Sequence, residues 1–223
     1  MVVRPGRELQ FRDRREAGRV LAESLRKYAG RDGVIVLGLP RGGLPVAYQV
    51  AKALRAPLDV FIVRKLGVPG YEELAMGAIA SGGARVLNES VLAQLDDSDE
   101  ALALVTEIET RELERQELEY RDGRPAPDLR GKTVILVDDG LATGATMRAA
   151  VLALRERGVA ARVVAVPVAA PETCAEFRDH VDEIVCAVTP PDFRAVGQFY
   201  EDFSQTSDNE VRELLARASE EWS

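Results

Sequence analysis

VILVDDGLATGAT, residues 134–146, is the stretch from which the rest of the chain can be read. Val134 to Val137 run without a polar break, as in a strand buried on both faces. They stop at Asp138 and Asp139. The small residues from Gly140 to Ala145 then lead into a helix N-terminus, where unpaired N–H groups and the helix dipole favour an anion. Thr143 and Thr146 add hydroxyl donors. In an open parallel sheet, ligands bind beyond the carboxyl ends of the strands, and both acids stand at such an end. A capped helix after a strand accounts for the glycines and threonines. It does not account for two adjacent acids at the end of a buried strand.

Downstream, the spacing predicts a helix over 146–157 ended by Gly158, a strand over 161–169, a helix over 171–179 and a strand over 183–188. Upstream, a capping box at Asp13 and Glu16 opens a helix over 13–28, with Ala17, Val20, Leu21, Leu25 and Tyr28 at helical spacing. The apolar run 34–39 predicts a buried strand, followed by the loop Pro40-Arg41-Gly42-Gly43 and a helix over 44–55 with Pro45 in its first turn. A second buried strand is predicted over 58–63, and a strand pair, 74–80 and 84–87, around Ser81-Gly82-Gly83. Strands alternating with helices imply a parallel sheet with right-handed crossovers.

Residues 89–124 differ in character and read as a helical insertion. Asp97 or Ser98 caps a long helix over 99–121, amphipathic at first through Leu102, Val105 and Ile108. Its second half is mostly charge, with Glu107/Arg111 and Glu117/Arg121 at supportive spacing, and reads as a solvated or partner-facing helix. After a Pro-containing linker the alternation resumes. The tail from 191 is irregular and aromatic until a capping box at Ser207 and Glu210 opens a last helix that buries Val211, Leu214, Leu215 and Ala218.

The chain has 223 residues, 46% of them hydrophobic, which suits one domain over 1–223 with a full core. Its net charge of −8 repels nucleic acid at long range. Cys174 and Cys186 read as buried free thiols, without the spacing of a disulfide framework or zinc site. His180, the lone histidine, reads as a surface or capping residue. The N-terminal residues lack the apolar core of a signal peptide, and no apolar run is long enough to span a membrane. The expectation is a cytoplasmic protein with no nucleic-acid or membrane partner.

Carboxylates suit hydroxyl donors or Mg²⁺, and the loop beside them suits a phosphate. The stretch 134–146 resembles the type I phosphoribosyltransferase signature: four apolar residues, two acids, two variable positions, a small residue and T-G-x-T. The ligand of that family, 5-phosphoribosyl 1-pyrophosphate (PRPP), joins vicinal ribose hydroxyls, a 5-phosphate and a metal-bound pyrophosphate. The resemblance implies that Asp138 and Asp139 hold the ribose hydroxyls and, directly or indirectly, Mg²⁺. It implies that Ala142, Thr143, Gly144, Ala145 and Thr146 wrap the 5-phosphate. VLGLPRGGLPVA, residues 36–47, resembles the family's pyrophosphate loop, in which Arg41 supplies charge and Gly42 and Gly43 permit close backbone approach. Members of the family often carry a non-proline cis peptide there. VRKLGVPG, residues 63–70, resembles the R-K-x-G-x-x-P-G stretch of adenine phosphoribosyltransferases. Lys65 then reaches the pyrophosphate, and Gly67, Pro69 and Gly70 open the mobile covering loop.

These three stretches span a core of about 31–190. They imply an α/β fold: a parallel sheet of about five strands flanked by helices, with a small hood and an inserted long helix. The implied reaction is phosphoribosyl transfer from Mg²⁺-PRPP to a nitrogenous base or related acceptor, with Arg41, Lys65, Asp138 and Asp139 as the catalytic set. A homodimer is one assembly left open. The chain also departs from the family. Hypoxanthine-guanine enzymes carry a carboxylate where Ala142 stands, which argues against a 6-oxopurine substrate. Adenine enzymes place a catalytic Glu after the mobile loop, where this chain has MGAIASGG, residues 76–83. Glu72 and Glu73 are the nearest carboxylates and read as solvated loop charges, with a catalytic role as the alternative. In PPDFRAVGQFYEDF, residues 190–203, Phe193, Phe199, Tyr200 and Phe203 are candidates to stack on a planar base, or to pack the tail onto the core. The alternative to an enzyme is a PRPP- or nucleotide-binding regulator without turnover. Cleavage of a nucleotide phosphoester or glycosidic bond has no hydrolytic constellation behind it.

Overall fold

The computed structural model describes residues 10–95 and 98–221, and for residues 72, 73 and 98 the backbone alone. The chain opens with α1 (Arg14–Ser24), β1 (Val34–Gly38), α2 (Gly43–Leu54) and β2 (Leu58–Val60). An antiparallel group follows, β3 (Val63–Val68), β4 (Tyr71–Ala80) and β5 (Ala84–Leu87), and then the short α3 (Glu89–Leu92) and the long α4 (Ser98–Arg121). The alternation resumes with β6 (Thr133–Val137), α5 (Ala145–Leu154), β7 (Ala161–Val168), α6 (Pro171–Glu176) and β8 (Glu183–Val188), and α7 (Asp208–Glu221) closes the chain.

Five strands pair in parallel in the order β2-β1-β6-β7-β8. β1 and β6 are apolar at nearly every position because helices cover both faces of the sheet. Strand alternation divides their side chains between two cores. Ile35, Leu37, Val134 and Leu136 join Met147, Val151 and Phe177 on one face. Val34, Val36, Ile135 and Val137 join Leu21, Val46 and Val50 on the other. Asp13 caps α1 by accepting from the Glu16 N–H at 2.7 Å, and Glu16 accepts from the Arg12 N–H at 2.7 Å.

The run 58–63 is not one strand. β2 stops at Val60, and the Ile62 N–H turns to the Ser81 hydroxyl oxygen at 2.8 Å. Val63 then starts β3, so Gly67, read as opening a covering loop, lies in a strand paired with β4, and Pro69 and Gly70 form the exposed turn between the two strands. Leu66 and Val68 are buried against Met76 and Ile79, which anchors β3. The second half of α4 is likewise more than a solvated helix. Arg115 pairs with Glu112 and Glu119 on the outer face, while Leu113 and Tyr120 are buried with Val211, Leu214 and Leu215 of α7. Asp97 lies outside the described residues. Cys174 and Cys186, expected as free thiols, form a disulfide. The close of α6 onto β8 brings their Cα atoms to 6.8 Å, within disulfide reach.

Arg121 ties the end of α4 to the sheet. Its Nε donates to Asp59 Oδ2 at 2.9 Å and Oδ1 at 3.2 Å, and both side chains are buried. Burial pushes the Asp59 carboxyl above its ordinary range and Arg121 opposes that shift. Removing one partner of a buried pair leaves an uncompensated charge, which costs about 3–5 kcal/mol. Arg121→Ala is expected to lower unfolding free energy by that amount in urea titrations, and Asp59→Asn combined with Arg121→Met to recover most of it.

Candidate functional site

The sheet order reverses between β1 and β6. β1 leads outward to β2, and β6 leads the other way to β7 and β8, so the loops after β1 and β6 emerge side by side at a topological switch point. The register pairs Gly38 with Val137, and the Leu39 N–H continues the ladder to the Val137 carbonyl at 2.9 Å. The two loops then touch. A Cβ on Gly43 would stand 2.8 Å from the Val137 carbonyl oxygen, and one on Gly42 would overlap Asp139 Oδ2. The Pro40–Arg41 peptide is cis.

Asp138 and Asp139 follow the last residue of β6. Asp138 Oδ1 accepts from the Asp139 N–H at 2.8 Å. The Asp139 carbonyl accepts from the Tyr200 hydroxyl at 2.6 Å, and Asp139 Oδ2 accepts from Arg14 Nε at 2.8 Å. Burial drives the Asp138 carboxyl well above the ordinary carboxylate range, and the Asp139 charge pushes it the same way. Burial raises Asp139 as well, against the pull of Arg14. The pair is therefore a concentration of negative charge in a poorly solvated place, ready to be relieved by hydroxyl donors or a cation.

The loop beyond the acids is held from outside. Thr173 donates its hydroxyl to the Ala142 carbonyl at 2.6 Å. Gly144 takes φ 72° against the Phe177 ring, a left-handed position that leaves no room for a Cβ. No side chain caps the N-terminus of α5, so its N–H groups face outward beside Thr143 and Thr146, both exposed. This arrangement suits a phosphate.

On the far side of the first loop lies a polar cavity of about 380 Å³, lined by Pro40, Arg41, Arg64, Gln116, Tyr120 and Asp208 among others. Arg41 stands 3.7 Å from Asp208. Strand alternation puts Arg64 and Lys65 on opposite faces of β3; Arg64 lines this cavity, and Lys65 is exposed. The structure thus gathers Arg41, Gly42, Gly43, Asp138 and Asp139 at one place, with 142–146 adjoining, and brings Arg64 rather than Lys65 to the cavity beside Arg41. Phe199 and Tyr200 are buried with Phe11, and Phe193 stacks on Phe199 at 5.5 Å. Those three rings pack the tail; Phe203 alone of the four aromatic candidates is exposed. His180 is exposed at the end of a 3-10 turn. The side chains of Glu72 and Glu73 lie outside the described residues.

Sequence reading missed Arg14 and Arg64. Arg64 was legible through strand alternation once β3 was recognised. Arg14 carries no local signal, since it meets Asp139 across 125 residues of chain. Among the described residues no group of three or more His, Cys, Asp or Glu forms a metal cluster. Two adjacent carboxylates do fit a Mg²⁺ that arrives on a phosphate ligand, because Mg²⁺ takes one or two protein carboxylates and completes its shell with phosphate and water.

A family model described as "Phosphoribosyl transferase domain" matches residues 11–204. Among curated proteins, "Putative phosphoribosyl transferase Rv0571c" of Mycobacterium tuberculosis strain H37Rv is 48% identical over 212 residues, 95% of this chain. The counterpart from strain CDC 1551 aligns equally well. The chain spans about half, 48%, of the length of these relatives. A solved structure, that of TT1426 from Thermus thermophilus, superposes with a TM-score of 0.81 at 42% identity, covering 96% of this chain and 99% of that one.

A carboxyl whose folded pKa is raised holds its proton more tightly in the folded chain. Its stabilising effect is complete below the ordinary Asp pKa of about 3.9 and is lost as pH rises through the raised value. Asp138→Asn keeps the acceptor for the Asp139 N–H and abolishes that loss. Its melting temperature without ligand is expected to exceed wild type at pH 7–8, by roughly 2–4 °C for each kcal/mol relieved, and to match it near pH 4. An equal gain at both pH values in thermal scans would exclude ionisation as the cause.

Proposed function

Because the chain belongs to the phosphoribosyl transferase domain family, we propose that it transfers 5-phosphoribose from Mg²⁺-PRPP to a nitrogenous acceptor and releases pyrophosphate. The observation that carries this reading is the placement of two poorly solvated acids, Asp138 and Asp139, at the end of β6, with the loop 140–144 leading from them to the uncapped N-terminus of α5. That is hydroxyl recognition beside phosphate recognition on one strand-to-helix connection.

In the proposed reaction the bond from ribose C1 to the pyrophosphate oxygen breaks, and its electron pair leaves with pyrophosphate. The acceptor nitrogen supplies the pair for the new C1–N bond and gives up a proton. The transition state carries oxocarbenium character, as in glycoside cleavage. Residues 142–146 anchor the 5-phosphate, and Asp138 and Asp139 hold the ribose hydroxyls, so that C1 is presented in one orientation. Arg41, backed by Gly42 and Gly43 and with Arg64 lining the same cavity, takes up charge on the leaving pyrophosphate. Mg²⁺ carried by PRPP and held through Asp138 and Asp139 would neutralise part of that charge. Ala142 puts a methyl group where a carboxylate would serve a 6-oxopurine, which supports a different acceptor. It also keeps in view a PRPP-binding regulator without turnover.

A thermal-shift panel of bases and nucleotides, each with and without Mg²⁺-PRPP, followed by assays of pyrophosphate release, tests the reading. Stabilisation by Mg²⁺-PRPP with turnover on one acceptor supports it. Stabilisation without turnover on any acceptor supports the regulator. Failure of Mg²⁺-PRPP and ribose 5-phosphate to bind at all overturns both.

Two variants sharpen the assignment. Thr146→Ala removes a hydroxyl donor to a dianion, about 1.5–3 kcal/mol for a charge-assisted bond, so calorimetry is expected to show ribose 5-phosphate affinity falling about tenfold to a hundredfold at unchanged melting temperature. Gln at both Glu72 and Glu73 is expected to leave turnover within about threefold. A loss of about 10²–10⁴-fold with PRPP binding intact would instead give one of them the proton transfer.

A further inference from the structure

Arg14 has no place in the reading above, yet it is the charged side chain in closest contact with the acid pair. It is the first residue of α1, beside the Asp13 cap. Its Nε donates to Asp139 Oδ2 at 2.8 Å, and one of its terminal nitrogens donates to the Ser204 carbonyl at 2.7 Å. Its guanidinium lies 4.0 Å from the centre of the Phe203 ring. The Arg14 and Asp139 side chains are only 11% and 15% exposed. The contact is therefore far from a screened surface ion pair, whose value is usually small.

Every other hydrogen bond that the described residues make to Asp139 is to its main chain. Tyr200 holds its carbonyl and Asp138 holds its N–H. Arg14 alone among the described residues fixes its carboxylate, and does so through Oδ2, the oxygen that also faces Gly42. A Cβ at Gly42 would leave that oxygen no space, so the glycine and the arginine together define one rotamer. With Oδ2 occupied, Asp139 Oδ1 and Asp138 Oδ2 are the carboxylate oxygens for which the described residues provide no hydrogen bond. Two acceptors on adjacent acids match the vicinal hydroxyls of a ribose.

We propose that Arg14 is a positioning residue that clasps the C-terminal tail to Asp139 and thereby aims the acid pair at the ribose hydroxyls. The inference rests on the phosphoribose reading. The clasp has two halves. A flat guanidinium donates in its plane to Asp139 and Ser204 while its face covers Phe203. Phe203 thus supports the arginine on one face. Tyr200, four residues before Ser204, donates to the Asp139 carbonyl, so one short tail segment is tied both to Asp139 and to the arginine that holds its carboxylate. Lysine, a point charge without the fork, fills this role only in part.

The test compares two probes by calorimetry. Ribose 5-phosphate reads the acids and the phosphate loop together, and inorganic phosphate reads the loop alone. In Arg14→Gln, affinity for ribose 5-phosphate is expected to fall about tenfold to a hundredfold, while affinity for inorganic phosphate stays within about twofold. Arg14→Lys is expected to fall between. In an Asp139→Asn background, Arg14→Gln is expected to cost less than about twofold more, since the two act as one unit. A purely structural arginine would add its loss in full there. Phe203→Leu, a change at a partly exposed ring, is expected to give the same selective loss on a smaller scale, about threefold, and decides the matter if Arg14→Gln does not fold. Wild-type affinity in Arg14→Gln, equal loss of both probes, or an unaffected Phe203→Leu in place of a misfolded Gln variant would overturn the clasp. If wild type binds inorganic phosphate but no ribose 5-phosphate, the phosphoribose reading falls and takes the clasp with it. Wild-type binding with indifferent variants removes the clasp alone.

Discussion

The parallel pairing of β1 with β6 is the contact on which the site depends. These two strands run in register from Val34 with Thr133 to Gly38 with Val137, and their connections depart in opposite directions across the sheet. Neither connection covers the other, so a crevice opens where both loops begin. Had β6 joined at an outer edge, Arg41 and Asp139 would sit at separate ends of the molecule. The glycines follow from the same pairing. Two loops launched from neighbouring strands collide unless one of them lacks side chains, and Gly42 and Gly43 supply that room against Asp138 and Asp139.

Burial sets the electrostatic character of the crevice. Two carboxylates at a strand end lose much of their hydration, and each disfavours ionisation of the other. One is partly compensated by Arg14; among the described residues Asp138 has the backbone N–H of Asp139 as its hydrogen-bond donor and a more distant influence of Arg14. Such an arrangement costs stability without ligand, as functional sites often do. The unfavourable term is largest where binding is proposed to relieve it. The N-terminus of α5 is matched to the acids in the opposite sense, with donors outward and no side-chain cap.

The parts outside the sheet explain why the crevice has walls. The antiparallel group β3 to β5, helix α4 and helix α7 share one core that reaches α2 through Leu44 and Tyr48. That core fixes the polar cavity beside Arg41, to which α4 lends Gln116 and Tyr120. Tyr120 in turn donates to Asp208 at 2.5 Å, joining α4 to the start of α7. On the other side, Phe11, Phe199 and Tyr200 pack the tail onto α1 and β7. Phe193, Phe199 and Tyr200 thus pack the tail, and the Tyr200 hydroxyl also reaches the Asp139 carbonyl.

The sequence by itself determined the alternation of β1, β6 and β7 with their helices, the acid pair, the small-residue loop and both capping boxes. Each rests on local physics: apolar runs mark doubly buried strands, and Asp13 and Ser207 meet N–H groups three residues away. Only the tertiary structure decided what is joined across long stretches of chain. It turned 63–68 into β3, because Leu66 and Val68 find a core there. It buried Arg121 on Asp59 and linked Cys174 to Cys186. It turned Phe199 and Tyr200 inward and brought Arg14 to Asp139. None of these contacts has a periodicity or a neighbouring motif to announce it, because a side chain's partner across a hundred residues is set by how the layers pack and not by the residues beside it in sequence.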